Sequence, residues 1–234
     1  MKLLSTIFVF VGIWVVIACQ EDPMTGDASE LHATSLPAVT VPYPRQAPEE
    51  TWQSARCSID WYPCPPVGTR RYQAMEDLPF IPVNAWAKGQ ADEMGMLYMH
   101  DLYQRITEGK KMIYFGMTAG WCSVCRSQFP HLSTMAQMYP DVLFLVVVSQ
   151  DANGDPADFA YATVYNGQYQ WDNVENVYVT YDPNFLFERY MTVAAYPFNM
   201  FINIKNMQIM NYESGLTTSS AFSSAIQAAL SRIQ

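Results

Sequence analysis

Charge is scarce in this chain. Asp, Glu, Lys and Arg make up 15% of its 234 residues, against about 25% in an ordinary soluble domain. Positive charge is scarcest: 13 Lys+Arg stand against 22 Asp+Glu, a formal net charge of −9, and no basic run occurs. This argues against nucleic acid as a partner. Only three histidines are present, His32, His100 and His131, and none forms a metal-ligand motif with a nearby His or Cys. Each reads as structural. The chain lacks an internal repeat, and Asn153-Gly154 is a turn, not a phosphate loop. Five cysteines are too few for a disulfide-stapled miniprotein, and an odd count demands a partition. What is plentiful is apolar: 50% hydrophobic and 14% aromatic residues can bury a core, which excludes wholesale disorder. The length fits one domain with extensions.

The N-terminus carries one early positive charge, Lys2, then an apolar stretch from Leu3 to Ala18, then Cys19 and the polar Gln20-Glu21-Asp22. Spanning a bilayer takes about 20 apolar residues, and this stretch is shorter and interrupted by Ser5, Thr6 and Gly12. It reads as an export signal over residues 1–18. Val16-Ile17-Ala18-Cys19 resembles the bacterial lipobox, which implies cleavage before Cys19 and a lipid on that cysteine. An uncleaved membrane anchor with an incidental cysteine is the alternative. Either reading exports the remainder to the cell envelope, where disulfides persist. Gln20 stands where enteric lipoproteins held at the inner membrane carry Asp, which favours the outer membrane. Residues 19–50 form an acidic, Pro-rich tether: Gln20 to Glu50 holds five prolines, six acids and one Arg. Loss of Lys2 with the signal would leave a mature charge of −10, half of it in this tether.

Residues 51–90 show little regular period but contain Cys57, Cys64 and three tryptophans, which points to an extension packed on the main domain. From residue 91 to 234 the pattern sharpens into helix, strand, helix, strand, helix, strand, helix, hairpin, helix. Met94, Tyr98, Leu102 and Ile106 predict a first helix, with Gly109 as its stop. Met112 to Met117 and Val142 to Val148 predict buried strands. Ser123 to about Tyr139 predicts a helix kinked by Pro130. Asp155-Pro156 predicts another helix start. Val177 to Thr180 predicts a strand, Pro183 to Tyr190 a short helix, Met200 to Tyr212 a hairpin, and Ser219 to Arg232 a last helix. The fold class expected is α/β, with helices layered on a mixed sheet.

Cys122 and Cys125 are separated by two residues at the predicted start of a helix, just after a buried strand. A helix start offers unpaired N–H groups and a positive dipole end, both of which favour a thiolate. Alone, the spacing fits a redox pair or half a zinc site.

The surrounding residues add to this. Thr118-Ala119-Gly120-Trp121-Cys122-Ser123-Val124-Cys125-Arg126, with Pro130 beyond and Tyr196-Pro197 before a strand, resembles the thioredoxin superfamily over residues 91–234. The separation of Cys122 from Pro197 and the exported context are similar to the TlpA/ResA branch. The resemblance implies a thioredoxin-like three-layer fold and thiol-disulfide exchange with cysteine-containing protein substrates and an upstream redox partner, without a cofactor. It makes Cys122 the attacking thiol, Cys125 the resolving thiol, Pro197 the cis-proline of the docking loop, and Trp121 and Tyr196 its substrate-binding flanks. Four positions depart from the pattern. Gly116 stands where plain thioredoxins bury an Asp, Gln128 where the TlpA/ResA branch usually carries Glu, and Ser123-Val124 matches neither branch's dipeptide.

Cys57 and Cys64 close a short loop (CSIDWYPC) and read as a structural disulfide worth about 2–3 kcal/mol. A second redox pair is the other reading. The five cysteines then divide into one for lipid, two for a staple and two for exchange. Met94, Met96, Met99, Met135 and Met138 fall on predicted helices and read as core, not as copper ligands. The missing carboxylates and unusual dipeptide keep a second function in view, a non-catalytic binding or scaffold lipoprotein on the same fold. Metal carriage by the reduced thiols is a third.

Overall fold

A computed structural model describes residues 66–233. The signal at 1–18, the tether at 19–50, Cys19 and the Cys57–Cys64 loop lie outside the described residues.

The parallel heart of the sheet comes from three apolar strands: β3 (Met112–Ala119), β4 (Val142–Gln150) and β5 (Val177–Tyr181). β4 pairs in parallel with both neighbours, Phe115 opposite Leu145 and Val146 opposite Val179. Burial on both faces explains the unbroken apolar runs, since a strand buried on one side only would alternate. The sheet extends antiparallel on both sides. β6 (Phe198–Asn203) pairs with β3, β7 (Gln208–Glu213) closes the hairpin, and β1 (Pro79–Pro82) adds to β5. A two-residue β2 (Leu97–Tyr98) completes the order β2-β1-β5-β4-β3-β6-β7.

Successive side chains on a strand point to opposite faces, so each strand feeds two cores. Tyr114, Phe144, Val146, Val179 and Phe201 face one core. Against it pack α3 (Ser123–Gln128), α4 (Leu132–Met138), α5 (Phe159–Tyr169) and α7 (Ser219–Leu230), through Phe129, Leu132, Tyr165 and Phe222. Ile113, Phe115, Leu145, Tyr178 and Ile202 face the other. That side is covered by α1 (Ala85–Lys88), α2 (Met99–Gln104) and α6 (Leu186–Met191). The result is three layers around a mixed sheet.

Three local expectations change. The first helix begins at Met99, not near Met94, because the Asp92 carboxylate accepts from the N–H groups of Met94 and Met96 and Gly95 takes φ +77°. Those bonds fold the segment into a turn, which leaves Met94 65% exposed and puts Leu97–Tyr98 into the sheet. Met96, Met99 and Met135 are buried, whereas Met138 is exposed like Met94. Asp155-Pro156 does not start a helix. Asp151 binds the N–H groups of Asn153 and Asp155, Pro156 bridges to Gln150, and Asp158 caps α5 through Tyr161 N–H. Residues 66–90, which lack sequence periodicity, nonetheless supply β1 and α1. Pro130 lies in a 3₁₀ turn, Phe129–His131, between α3 and α4, where a kink was expected. Among the described residues no helix is long and apolar enough to cross a membrane.

Candidate active site

Three adjacent parallel strands end on the same edge of the sheet, where crevices form in open α/β sheets. Trp121 and Cys122 follow β3, Ser149-Gln150 end β4, and Asp182 follows β5. β6 begins there too, with Phe198 paired to Met117, so Tyr196-Pro197 is delivered to the cysteine end of β3.

The turn out of β3 has no room for side chains. A Cβ on Gly120 would collide with the Tyr161 hydroxyl and sit 2.9 Å from the Ala152 nitrogen. Gly120 N–H bonds Gln150 C=O, and Arg126 Nη1 donates back to Gly120 C=O at 3.0 Å. This clasp places Cys122 as the N-cap of α3. Its Sγ accepts the Cys125 N–H at 3.0 Å, a donor that would also serve a thiolate. Cys122 and Cys125 form a disulfide with Cα atoms 5.2 Å apart. Cys122 is 3% exposed and Cys125 not at all. What little exposure the pair has is therefore at Cys122.

Trp121 is 49% exposed beside the disulfide, and Val124 is also exposed. The Tyr196-Pro197 peptide is cis, and the Tyr196 ring meets Trp121 edge to face at 6.1 Å. All five residues named from the sequence for exchange and docking thus come together. A disulfide at a strand-to-helix turn, a cis-proline entering the antiparallel neighbour strand, and a helix-flanked mixed sheet are on one scaffold. The fold is thioredoxin-like.

No protein-family model matches the chain. Thioredoxin H1 of Arabidopsis thaliana is 33% identical over 57 residues, 24% of this chain and 50% of that protein's length. The match thus spans about half of the curated relative. Among solved structures, a thio-disulfide isomerase from Thermus thermophilus is 16% identical, covering 68% of this chain and 96% of that one, with a TM-score of 0.48. A putative thiol:disulfide interchange protein DsbE from Chlorobium tepidum is 18% identical, covering 70% and 99%, with a TM-score of 0.47. An exposed lipoprotein thioredoxin from Streptococcus pneumoniae is 20% identical, covering 65% and 98%, with a TM-score of 0.44.

Behind this thioredoxin-like site, neutral groups occupy the two positions where a carboxylate was missed. The Gln128 side chain is fully buried and donates to the Tyr114 hydroxyl at 2.9 Å and to Asn199 Oδ1 at 2.6 Å. Tyr114 Oη also donates to Asn199 Oδ1 at 2.6 Å, and Asn199 Nδ2 donates to Gln128 Oε1 and Glu213 C=O. Every polar group in this triad has a partner, which is the condition for burying it cheaply. Burial holds the Tyr114 phenol far above its usual range, so it stays protonated.

Four residues on the other side of the disulfide carry no motif. Gln150 Oε1 accepts the Trp121 indole N–H at 2.5 Å, while Gln150 Nε2 donates to Glu188 Oε2 at 2.8 Å. Tyr196 Oη donates to the same Glu188 oxygen at 2.6 Å. Asp182 is buried at the end of β5, and burial pushes its carboxyl up to about 6 against the opposing N–H bonds of Phe187 and Glu188. The Ser149 hydroxyl lies 3.3 Å from both acids. Polar residues placed right after a buried parallel strand were the available signal for Ser149, Gln150 and Asp182. Glu188, on a short helix, had none. Among the described residues no group of three or more His, Cys, Asp or Glu side chains could hold a metal.

Proposed function

We propose that the protein is an exported, lipid-anchored thiol-disulfide oxidoreductase acting on cysteine-containing proteins. The observation that carries this reading is the Cys122–Cys125 disulfide, sealed on the Cys125 side and flanked on the other by Trp121 and the cis Tyr196-Pro197. In the reduced protein the Cys122 thiolate attacks one sulfur of a substrate disulfide. A Cys122–substrate bond forms, and the other substrate sulfur leaves as a thiol after taking a proton. The Cys125 sulfur then attacks Cys122, its proton passes to the departing substrate sulfur, and the Cys122–Cys125 disulfide closes. Two electrons have moved to the substrate. Run backwards, the same steps oxidise a dithiol. A redox partner resets the pair in either direction.

Trp121, Tyr196 and Pro197 would line the cleft where an extended substrate segment lies. The neutral Tyr114–Gln128–Asn199 triad supplies no carboxylate, so a bound water or another acid would serve proton transfer to and from Cys125. The anchor rests on Val16-Ile17-Ala18-Cys19, and Gln20 favours the outer membrane; Cys57–Cys64 would staple the extension.

A scaffold without catalysis is the rival, favoured by the 3% exposure of Cys122. Iodoacetamide titration of the reduced protein separates the two. The Cys125 N–H aimed at Cys122 Sγ predicts half-maximal alkylation well below pH 8.5, about the value for a free thiol. An unperturbed profile would favour the scaffold.

A further inference from the structure

One carboxylate oxygen connects both aromatic flanks of the disulfide. Glu188 Oε2 receives Tyr196 Oη at 2.6 Å, Gln150 Nε2 at 2.8 Å and Ser149 Oγ at 3.3 Å. The Gln150 bond has a directional consequence. An indole N–H only donates, so Gln150 must present its oxygen to Trp121, as it does at 2.5 Å. The amide then has to turn its NH₂ group the other way, and Glu188 is the acceptor it finds there. Replace that acceptor and the amide loses the partner on its NH₂ side that holds it in the orientation Trp121 needs.

The acid is itself held in place. Asp182 binds the N–H groups of Phe187 and Glu188 at 2.9 Å each, which fixes the first turn of α6 against the end of β5. The Tyr196 and Trp121 rings meet edge to face at 6.1 Å, so the two arms from Glu188 close on each other beside Cys122. Hydrogen bonds to an ionised acceptor are the strong ones. Trp121 is half exposed, so the fold covers only part of its ring.

We propose that Glu188 is a positioning residue, which holds Tyr196 directly and Trp121 through Gln150 so that the two rings form one preset wall for the substrate. Glu188 touches neither sulfur. Its effect should therefore fall on substrate docking and not on the exchange step. The inference deepens the exchange reading and rests on it for its kinetic arm only.

The test uses the full chain, insulin as the protein disulfide, and the Trp121 indole ¹H–¹⁵N resonance, assigned by its loss in Trp121→Phe. Glu188→Met keeps volume and removes the acceptor. It should move the indole resonance toward its position in Gln150→Leu, and raise KM for insulin roughly tenfold with kcat within about twofold. Glu188→Gln, whose carbonyl can accept both donors, should restore the resonance and most of the KM. Tyr196→Phe combined with Gln150→Leu cuts the same two bonds from their far ends, and should give the same rise even if Glu188→Met fails to fold. An indole resonance unmoved in Glu188→Met but moved in Gln150→Leu overturns the proposal. So does an equal fall in kcat and kcat/KM, which would place Glu188 in the exchange step. If wild-type protein neither reduces insulin nor oxidises its reduced chains, the exchange reading fails, while the indole comparison still decides the positioning role.

Discussion

Gly116 has no side chain, yet the volume beside it is full. The Tyr114 ring, two residues earlier on the same face of β3, reaches over it, so that an added Cβ would lie 2.6 Å from Tyr114 Oη and 2.8 Å from Cε1. The ring cannot retreat, because it is fully buried and its hydroxyl is held by Asn199 and Gln128. The absence of a carboxylate at 116 and the presence of Tyr at 114 are thus one packing solution. Gly116→Ala should cost about 1–3 kcal/mol, the usual range for overpacking a core, read as a lower urea midpoint with unchanged slope. An unchanged midpoint would mean the ring yields more easily than its bonds imply. The resemblance marked 116 and 128 as positions without the carboxylate of its pattern, but not what stands there instead. Asn199 lies 71 residues from Gln128, and only the pairing of β6 with β3 brings the two near.

Among elements, the long buried strands and the kinked helix were legible because their signals are local: continuous apolar runs and a proline. The short ones were not. β1 has proline at both ends and only four residues, so nothing in its composition announces a strand. It forms because β5 offers it an edge and α2 holds the chain leading into it. His100 on α2 bonds Asp77 at 2.8 Å and Asp101 at 3.1 Å, and Asp77 also accepts the His100 N–H. The bonds from Asp101 and Asp77 raise the imidazole from 6.5 to about 10, against the lowering effect of burial. A base whose folded pKa is raised contributes stability that is fully present below its unfolded pKa and is lost as pH rises through its folded pKa. The thermal-stability difference between wild type and His100→Gln should therefore be largest at or below about pH 6.5 and shrink toward zero as pH passes about 10. A difference that stays flat across that window would show that the pair carries no protonation-linked stability.

At the scale of the whole molecule, the site is a convergence. Three parallel strands and one antiparallel strand bring Cys122, Gln150, Asp182 and Pro197 to one sheet edge, although 75 residues separate Cys122 from Pro197. The part of the site that a motif encodes, Trp121 through Cys125 and Tyr196-Pro197, was legible from the sequence. The part that supports it was not, since Glu188 and Asn199 acquire meaning only through the partners the fold gives them. The same geometry leaves the two cysteines unequally buried, Cys122 at 3% exposure and Cys125 completely. The most direct test of thiol-disulfide exchange at this site is intact-mass detection of mixed disulfides after the reduced single-cysteine variants meet a protein disulfide. Cys125→Ser should accumulate a covalent adduct through Cys122, and Cys122→Ser should accumulate none. Equal trapping by both variants, or by neither, would contradict the account.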